Sequence, residues 1–176
     1  MSKQIIDCIS KCSVCNSYKP DQQKEPVVCF EIPLRPWQSI SDDLFELHGL
    51  DYLVTADCYS NFFEVDVPTS KNSKEAIDKL KPHLPSYGLP DRITADNGPQ
   101  FDCREFQQFA EQYQVEHIRT SPRYVRYKGK AENSVKTAKQ SLKKANDEGR
   151  DPQLSLLDFR NTPSEGMDSS PALLKI

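Results

Sequence analysis

The sequence lacks any apolar run long enough to span a membrane, and its first residues contain no apolar signal segment. It also lacks an excess of positive charge, since the formal net charge of its 176 residues is -3. A generally basic nucleic-acid-binding protein is therefore not indicated, and no membrane partner is expected. With 36% hydrophobic residues, the chain has enough apolar material for one ordinary core.

Histidines are scarce, and their positions limit what the six cysteines can do. Cys12 and Cys15 have the spacing of a zinc-binding pair, but tetrahedral zinc needs two more ligands. All three histidines lie downstream, the first of them at His48. The pair therefore forms an incomplete site, and bound Zn²⁺ is not expected in this chain. Without a signal segment, disulfides are not expected either.

Positive charge is concentrated in one segment. Residues 119–144 contain nine Lys or Arg and the single acid Glu132, so the segment carries +8 and the remainder of the chain carries -11. One interpretation is a solvated basic helix face. The other is a positive field around an acidic metal ligand, which is what a site that handles phosphodiesters needs.

Proline spacing and hydrophobic periodicity predict one main domain that begins near residue 34. Residues 1–34 read as the last part of a zinc-binding module with a linker, and residues 35–176 as the main domain. Strands are predicted over 39–47, 52–57 and 62–67 as an antiparallel meander, and later over 92–95 and 115–118.

Helices are predicted between and after these strands. The first is capped by Ser73 and is shortened or kinked near Lys81, because Pro82 and Pro85 conflict with a continuous helix. Other helices are predicted at 1–14, from a capping box of Asp102 and Glu105, from about 130 to 145, and over 151–160. Residues 121–129 and 161–176 are expected to be loops.

Three carboxylates stand out from this framework. Asp43 alternates with Phe45 on one face of its strand, where a carboxylate is costly unless it is paired or bound to metal. Asp96 ends a short buried strand at the carboxyl edge of the sheet, where α/β proteins bind ligands. Glu132 lies near the start of a helix with Lys136 and Lys139 behind it, which suits an acid at a metal and cations along a DNA backbone.

Asp57 is a competing candidate at the end of the second strand. Its structural interpretation is a turn residue whose carboxylate bonds the backbone of Tyr59 or Ser60. Each carboxylate alone is explained equally well as a cap or a turn.

Taken together, the motifs resemble the integrase core of gypsy-type LTR retrotransposons, relatives of retroviral integrases. The segments that carry the resemblance are Pro36-Trp37, Asp42-Asp43-Leu44-Phe45, Tyr52-Leu53-Val54, Asp57-Cys58-Tyr59-Ser60, Asp96-Asn97-Gly98-Pro99-Gln100-Phe101, Ser121-Pro122-Arg123-Tyr124, Gly129-Lys130-Ala131-Glu132 and Arg160-Asn161-Thr162-Pro163.

The resemblance implies an α/β protein with an RNase H-like fold, a five-stranded mixed sheet flanked by helices. It assigns the catalytic acids to Asp43, Asp96 and Glu132, the last two separated by the 35 residues typical of the family. Two Mg²⁺ or Mn²⁺ ions held by these acids would support in-line attack on phosphodiesters. Residues expected to contact DNA are Asn97, Gln100, Arg123, Arg126, Lys128, Lys130, Lys136 and Lys139.

The family's chemistry and partners follow from the same resemblance. Water first trims the DNA ends of the element, and the freed 3′-hydroxyl then attacks target DNA. The implied partners are double-stranded DNA and further copies of the chain. The implied location is nuclear, or cytoplasmic before nuclear entry.

One segment departs from the family. A Pro-Gln-Ser-Asn-Gly-Gln sequence is usual before Ala-Glu, whereas residues 125–130 here read Val-Arg-Tyr-Lys-Gly-Lys. The change strengthens phosphate attraction, but a lysine at Lys128 would compete with metal by pairing with a carboxylate. A degenerate or domesticated copy that binds DNA or protein without catalysis is therefore the alternative. An unrelated nuclease on the same fold is disfavoured by the motifs outside the three acids.

Overall fold

A five-stranded mixed sheet forms the centre of the protein. The structure is a computed structural model that describes Lys11 and residues 33–119, 128–163 and 169–174, without the side chains of 128–134. The strand order is β3-β2-β1-β4-β5. β1 to β3 are antiparallel neighbours, whereas β4 runs parallel to β1 and β5 parallel to β4. The predicted meander and the five-stranded mixed sheet are confirmed. The strands are β1 Ser39–Leu47, β2 Leu50–Asp57, β3 Phe63–Asp66, β4 Arg92–Ala95 and β5 Glu116–Arg119.

Helices flank the sheet on both faces. The helices are α1 Ser73–Leu80, α2 His83–Tyr87, α3 Arg104–Gln112, α4 Lys128–Asp147, α5 Pro152–Asn161 and α6 Pro171–Leu174. None of the helices within the described ranges is both long and apolar enough to cross a membrane. The predicted helix over residues 1–14 lies outside the described part of the chain except for Lys11, which is helical.

Each face of the sheet has its own apolar core. On one face, α1, α2 and α3 bury a cluster that includes Trp37, Ile40 and Phe106. On the other, Val135, Ala138 and Leu142 of α4 pack against residues of β2 and β3. Both faces are therefore covered, so a polar side chain on either face lies in or beside a core.

The observed helix ends agree in part with the ends predicted from the sequence. A break after α1 is confirmed, because α1 ends at Leu80 and α2 begins at His83. The predicted Ser73 cap is wrong by one position, since the side chain of Asn72 accepts the bond from the Glu75 amide. Asp151 caps α5 as predicted and accepts a bond from the Gln153 amide.

The predicted capping box of Asp102 and Glu105 is wrong. The sulfur of Cys103 accepts a bond from the Phe106 amide and caps α3 instead. Asp102 pairs with Arg119 of β5. A thiol is a poor acceptor, so capping preferences did not indicate Cys103.

Two predicted loops contain helix. α4 begins at Lys128, inside the predicted loop over 121–129, and α6 interrupts the predicted loop over 161–176. β2 begins at Leu50 rather than 52, and β3 and β5 each differ by one residue at their ends. These differences leave the positions of the candidate acids along their elements unchanged.

Candidate metal and nucleic-acid site

The parallel pairing of β1 with β4 brings two of the candidate acids together. The Cα partner of Asp42 is Ala95, so Asp43 and Asp96 are the next residues along two neighbouring strands. Adjacent strands lie about 4.8 Å apart, and residues in register point to the same face. Asp96 is exposed, and 26% of the Asp43 side chain is exposed. Two carboxylates therefore lie side by side at the edge of the sheet.

A tight turn after β4 fixes the position of Asp96. Its Oδ1 accepts a hydrogen bond of 3.0 Å from the Gly98 amide. A Cβ at position 98 would lie 2.8 Å from that oxygen and would also meet the amide of Gln100, so a larger residue would require both side chains to shift. The carboxylate thus retains one oxygen that this bond does not use.

Gln100 does not extend toward solvent. Its side chain is only 7% exposed and lies against Gly98. A direct DNA contact was predicted for it and stays a prediction, since burial leaves little of this residue at the surface of the described structure. Asn97, by contrast, is exposed on the same turn.

Lys139 of α4 is in direct contact with Asp43. Its Nζ lies 2.6 Å from Oδ2 of Asp43 and 4.9 Å from the centroid of the Phe45 ring. Asp43 and Phe45 therefore share one face of β1, as the alternation predicted. A lysine paired with a candidate acid was expected at Lys128, whose side chain lies outside the described residues, and the pair that the structure does describe is Lys139 with Asp43.

Glu132 lies within the helical range of α4, and its side chain is outside the described residues. It precedes Lys139 by seven residues, which is about two turns and 10 Å along the helix axis. Lys136 lies between them and is exposed. α4 packs against β1 and β2, so the helix that carries Glu132 runs over the face that carries Asp43.

Asp42 is a buried carboxylate that the sequence did not single out. It is 2% exposed, and within the described ranges neither of its oxygens has a hydrogen-bond partner. Burial raises the pKa of Asp42 to about 7. Its neighbour on β2 is Thr55, whose hydroxyl partly offsets that rise without forming a well-oriented hydrogen bond. The sequence feature that indicates this burial is the alternation of Asp42 with Ile40, which places both residues on the face covered by α1 to α3.

Asp57 is fully buried and has a structural role. Oδ1 accepts bonds from the amides of Trp37 at 3.0 Å and Tyr59 at 3.1 Å. Oδ2 accepts bonds from the amide and hydroxyl of Ser60 at 3.1 and 2.6 Å. Its interpretation as a turn residue is confirmed. The bond to Trp37 also stabilises a backbone in the left-handed region, with φ of 55°.

The remaining predicted site residues are only partly visible. Lys128 and Lys130 lie in α4, but their side chains are not described. Arg123, Arg126, Cys12 and Cys15 lie outside the described residues. Among the side chains that are described, no three His, Cys, Asp or Glu residues are grouped as a metal site.

The donor chemistry at the sheet edge nevertheless fits a divalent cation. Carboxylate oxygens are the ligands that Mg²⁺ prefers, and Asp43 and Asp96 supply them from adjacent strand positions. A positive charge already occupies this place, because the Lys139 ammonium contacts Asp43. The two acids therefore form half of a site suited to a cation, and a third oxygen ligand would complete it.

Residues 33–124 match the model of the family described as Integrase core domain. The matched range is slightly more than half of the chain. It contains Asp43 and Asp96 and ends before Glu132.

Two curated relatives are similar over most of this chain. An uncharacterized protein of Caenorhabditis elegans is 28% identical over 175 residues, which cover 97% of this chain and 14% of that protein. The Gag-Pro-Pol polyprotein of Simian retrovirus SRV-1 is 27% identical over 146 residues, which cover 81% of this chain and 8% of the polyprotein. The chain therefore spans only a small part of the length of these relatives.

Solved structures share the fold. A simian T-cell lymphotropic virus intasome matches with a TM-score of 0.70 at 21% identity, over 98% of this chain and 66% of that chain. The catalytic core domain of BIV integrase matches with a TM-score of 0.64 at 15% identity, over 79% of this chain and 93% of that chain. The catalytic core domain of HTLV-2 integrase in complex with magnesium matches with a TM-score of 0.62 at 19% identity, over 81% of this chain and 99% of that chain. The predicted RNase H-like fold is confirmed.

Proposed function

The chain belongs to the integrase core domain family, and from that premise we propose that it is a metal-dependent polynucleotidyl transferase acting on double-stranded DNA. The observation that carries the proposal is the β1–β4 register, which sets Asp43 beside Asp96 at one edge of the sheet. Carboxylates at adjacent strand positions repel one another, and a bound cation would offset that repulsion.

We assign the metal ligands to Asp43, Asp96 and Glu132. The first two would hold metal from the sheet, and Glu132 would complete the site from α4, which runs over the same face. Two Mg²⁺ ions bound there would supply Lewis-acid stabilisation to the attacking and leaving oxygens of an in-line displacement at phosphorus. The Gly98 amide holds Asp96 in place in the turn that follows β4.

The exposed residues beside the acids would position DNA. Lys136 on α4 and Asn97 on the Asp96 turn are both exposed next to the proposed site. Cations contact phosphates without regard to sequence, so their role is orientation of the backbone at the acids. Arg123, Arg126, Lys128 and Lys130 would add to the positive field from the segment before and at the start of α4.

The reactions proposed are those of the resembled family. Water trims the 3′ ends of the element's DNA, and each freed 3′-hydroxyl then attacks target DNA. We extend the proposal to a gypsy-type lineage, to action in the nucleus and to assembly of several copies. Residues 1–34 would then be the end of a zinc-binding module with its linker, and residues 35–176 the catalytic core.

A second candidate function is DNA binding without catalysis. The observation that favours it is the ion pair between Lys139 and Asp43, since a lysine bound to a catalytic acid opposes metal binding. The two candidates differ in whether a phosphodiester bond is exchanged when metal and DNA are both supplied.

The reversal of strand transfer on a branched DNA intermediate distinguishes them. The substrate brings both reacting DNA ends together, so the reaction demands least of regions outside the core. The 176-residue protein with Mn²⁺ should release the joined strand, and Asp96→Asn and Glu132→Gln should each reduce the rate at least about 100-fold, the scale lost with a group that stabilises charge in the transition state.

A matched control is Glu116→Gln, an exposed acid on β5 that is paired with Arg92 rather than with the site. It should leave the rate unchanged. Equal product from the native protein and Glu132→Gln would remove catalysis from the proposed acids. No product from a folded sample that still binds the DNA would favour the second candidate.

A further inference from the structure

We infer that Lys139 is a built-in counter-ion of the proposed metal site, displaced when a divalent cation binds and then available to a DNA phosphate. The inference rests on the proposed function and deepens it, because it makes metal binding and DNA binding depend on each other through one side chain.

Two contacts hold Lys139 at the acid. Its Nζ lies 2.6 Å from Oδ2 of Asp43, and the same ammonium lies 4.9 Å from the centre of the Phe45 ring. Neighbouring cations of α4 differ from it. Lys136 and Lys143 are both exposed, and within the set of described side chains neither forms an ion pair. The contact of Lys139 with Asp43 thus results from the position of Lys139 on the helix and not from the general charge of the segment.

The charge around Asp43 explains why a cation is held there. Asp96 occupies the next position on the adjacent strand, and Asp42 is buried beside Asp43 on the opposite face. Like charges about 5 Å apart repel, and one ammonium reduces that repulsion. Without metal, Lys139 therefore stabilises the same pair of acids that metal would bind.

A divalent cation bound to the Asp43 carboxylate would compete with the ammonium for its negative charge. Magnesium binds carboxylate oxygens at about 2.0–2.1 Å with strict octahedral geometry. An ammonium 2.6 Å from the same oxygen would then face a doubly charged neighbour at close range. Metal binding should release Lys139, while the long side chain keeps its charge close to the site.

The released ammonium changes the DNA-binding surface. Each phosphate neutralised by a cation contributes about -0.9 to the slope of log affinity against log salt concentration. Bound metal should therefore add about one phosphate contact, from Lys139, to those already made. By linkage, bound DNA should raise metal affinity by the same factor.

Metal affinity tests the first half of the inference. Lys139→Gln retains most of the side chain but removes its charge, and the variant should bind Mn²⁺ about two- to five-fold more tightly, the range of a partly exposed ion pair. Electron paramagnetic resonance of free Mn²⁺ measures this on the 176-residue protein. Lys143→Gln, on the same helix and exposed, should leave the affinity unchanged.

The salt dependence of DNA binding tests the second half. Fluorescence anisotropy with a short duplex would be recorded over a series of salt concentrations with Ca²⁺ and with EDTA, and the ionic strength of the two series would be matched at each point. In the native protein Ca²⁺ should steepen the slope by about one. Lys139→Gln should abolish that difference, whereas Lys143→Gln should preserve it.

The outcomes separate this inference from the proposed function. Tighter Mn²⁺ binding by Lys139→Gln with loss of the slope difference supports both. Mn²⁺ binding that requires Asp43 and Asp96 but is equal in the native protein and Lys139→Gln overturns the counter-ion role alone. Absence of Mn²⁺ binding from every variant overturns the counter-ion role together with the metal-dependent function.

Discussion

Two aspartates of the sheet, Asp42 and Asp57, are equally withdrawn from water but differ in their hydrogen bonding. Asp57 accepts four bonds, including two from Ser60, whereas neither oxygen of Asp42 has a partner in the described part of the chain. A buried charge is costly when it is unpaired and is stabilising when its oxygens are fully bonded. The same residue type should therefore have opposite effects at these two positions.

Replacement of each aspartate by asparagine measures that difference. At pH 8, above the pKa of about 7 that burial gives Asp42, Asp42→Asn should raise the free energy of unfolding by about 2 kcal/mol. Asp57→Asn replaces a carboxylate that accepts four bonds by an amide, whose nitrogen does not accept, and should lower the free energy of unfolding by about 2 kcal/mol. Urea denaturation of both variants gives the two values. A fall for Asp42→Asn as large as that for Asp57→Asn would show that Asp42 has a bonding partner.

The sequence predicted the environment of one of the two neighbouring aspartates of β1. Alternation placed Asp43 with Phe45, and Lys139 contacts both of them. The same alternation placed Asp42 beside Glu46, which is exposed. Alternation gives only the face, and the depth of burial at Asp42 depends on α1 to α3, which pack over that part of the face.

At the scale of elements, α2 is held to β3 by a buried polar contact. His83 Nε2 lies 2.8 Å from Oδ2 of Asp66, and only 14% of the His83 side chain is exposed. Burial lowers the pKa of His83, but the Asp66 carboxylate outweighs burial and leaves the pKa above its ordinary value. The charged imidazole is therefore the form that stabilises the docking of α2.

This contact predicts a pH dependence of stability. The contribution of His83 is fully present below pH 6.5, its unfolded value, and is lost as the pH rises through the raised folded pKa. Relative to Asp66→Asn, the native protein should lose free energy of unfolding across that window. Urea denaturation from pH 5 to pH 9 would show it. A constant difference between the two proteins across the range would mean that His83 does not gain a proton on folding.

Element boundaries were predicted best where composition alone decides them. Pro82 and Pro85 ended α1 as expected, and Asp151 with Pro152 began α5. The cap of α3 was missed, because Asp102, the expected cap, pairs with Arg119 of β5 and Cys103 caps the helix. That pairing is a tertiary contact, which local preferences do not contain.

For the whole molecule, the strand order is what brings Asp43 to Asp96. Periodicity predicted the strands approximately, but it did not predict that β4 pairs with β1, and the resemblance to a family implied only a five-stranded mixed sheet. The ion pair of Lys139 with Asp43 was foreseen only as a lysine at another position, since it depends on how α4 crosses the sheet. Charge and spacing in the sequence therefore predicted the components of the site, and packing decided their contacts.

Asp43, Asp96 and Glu132 should together bind the divalent cations of the proposed reaction, and anomalous diffraction from crystals soaked in Mn²⁺ would locate these ions. Peaks about 2 Å from carboxylate oxygens of these three residues are expected, with Lys139 turned away from Asp43. A peak elsewhere, or Lys139 still paired with Asp43 at saturating Mn²⁺, would contradict this expectation.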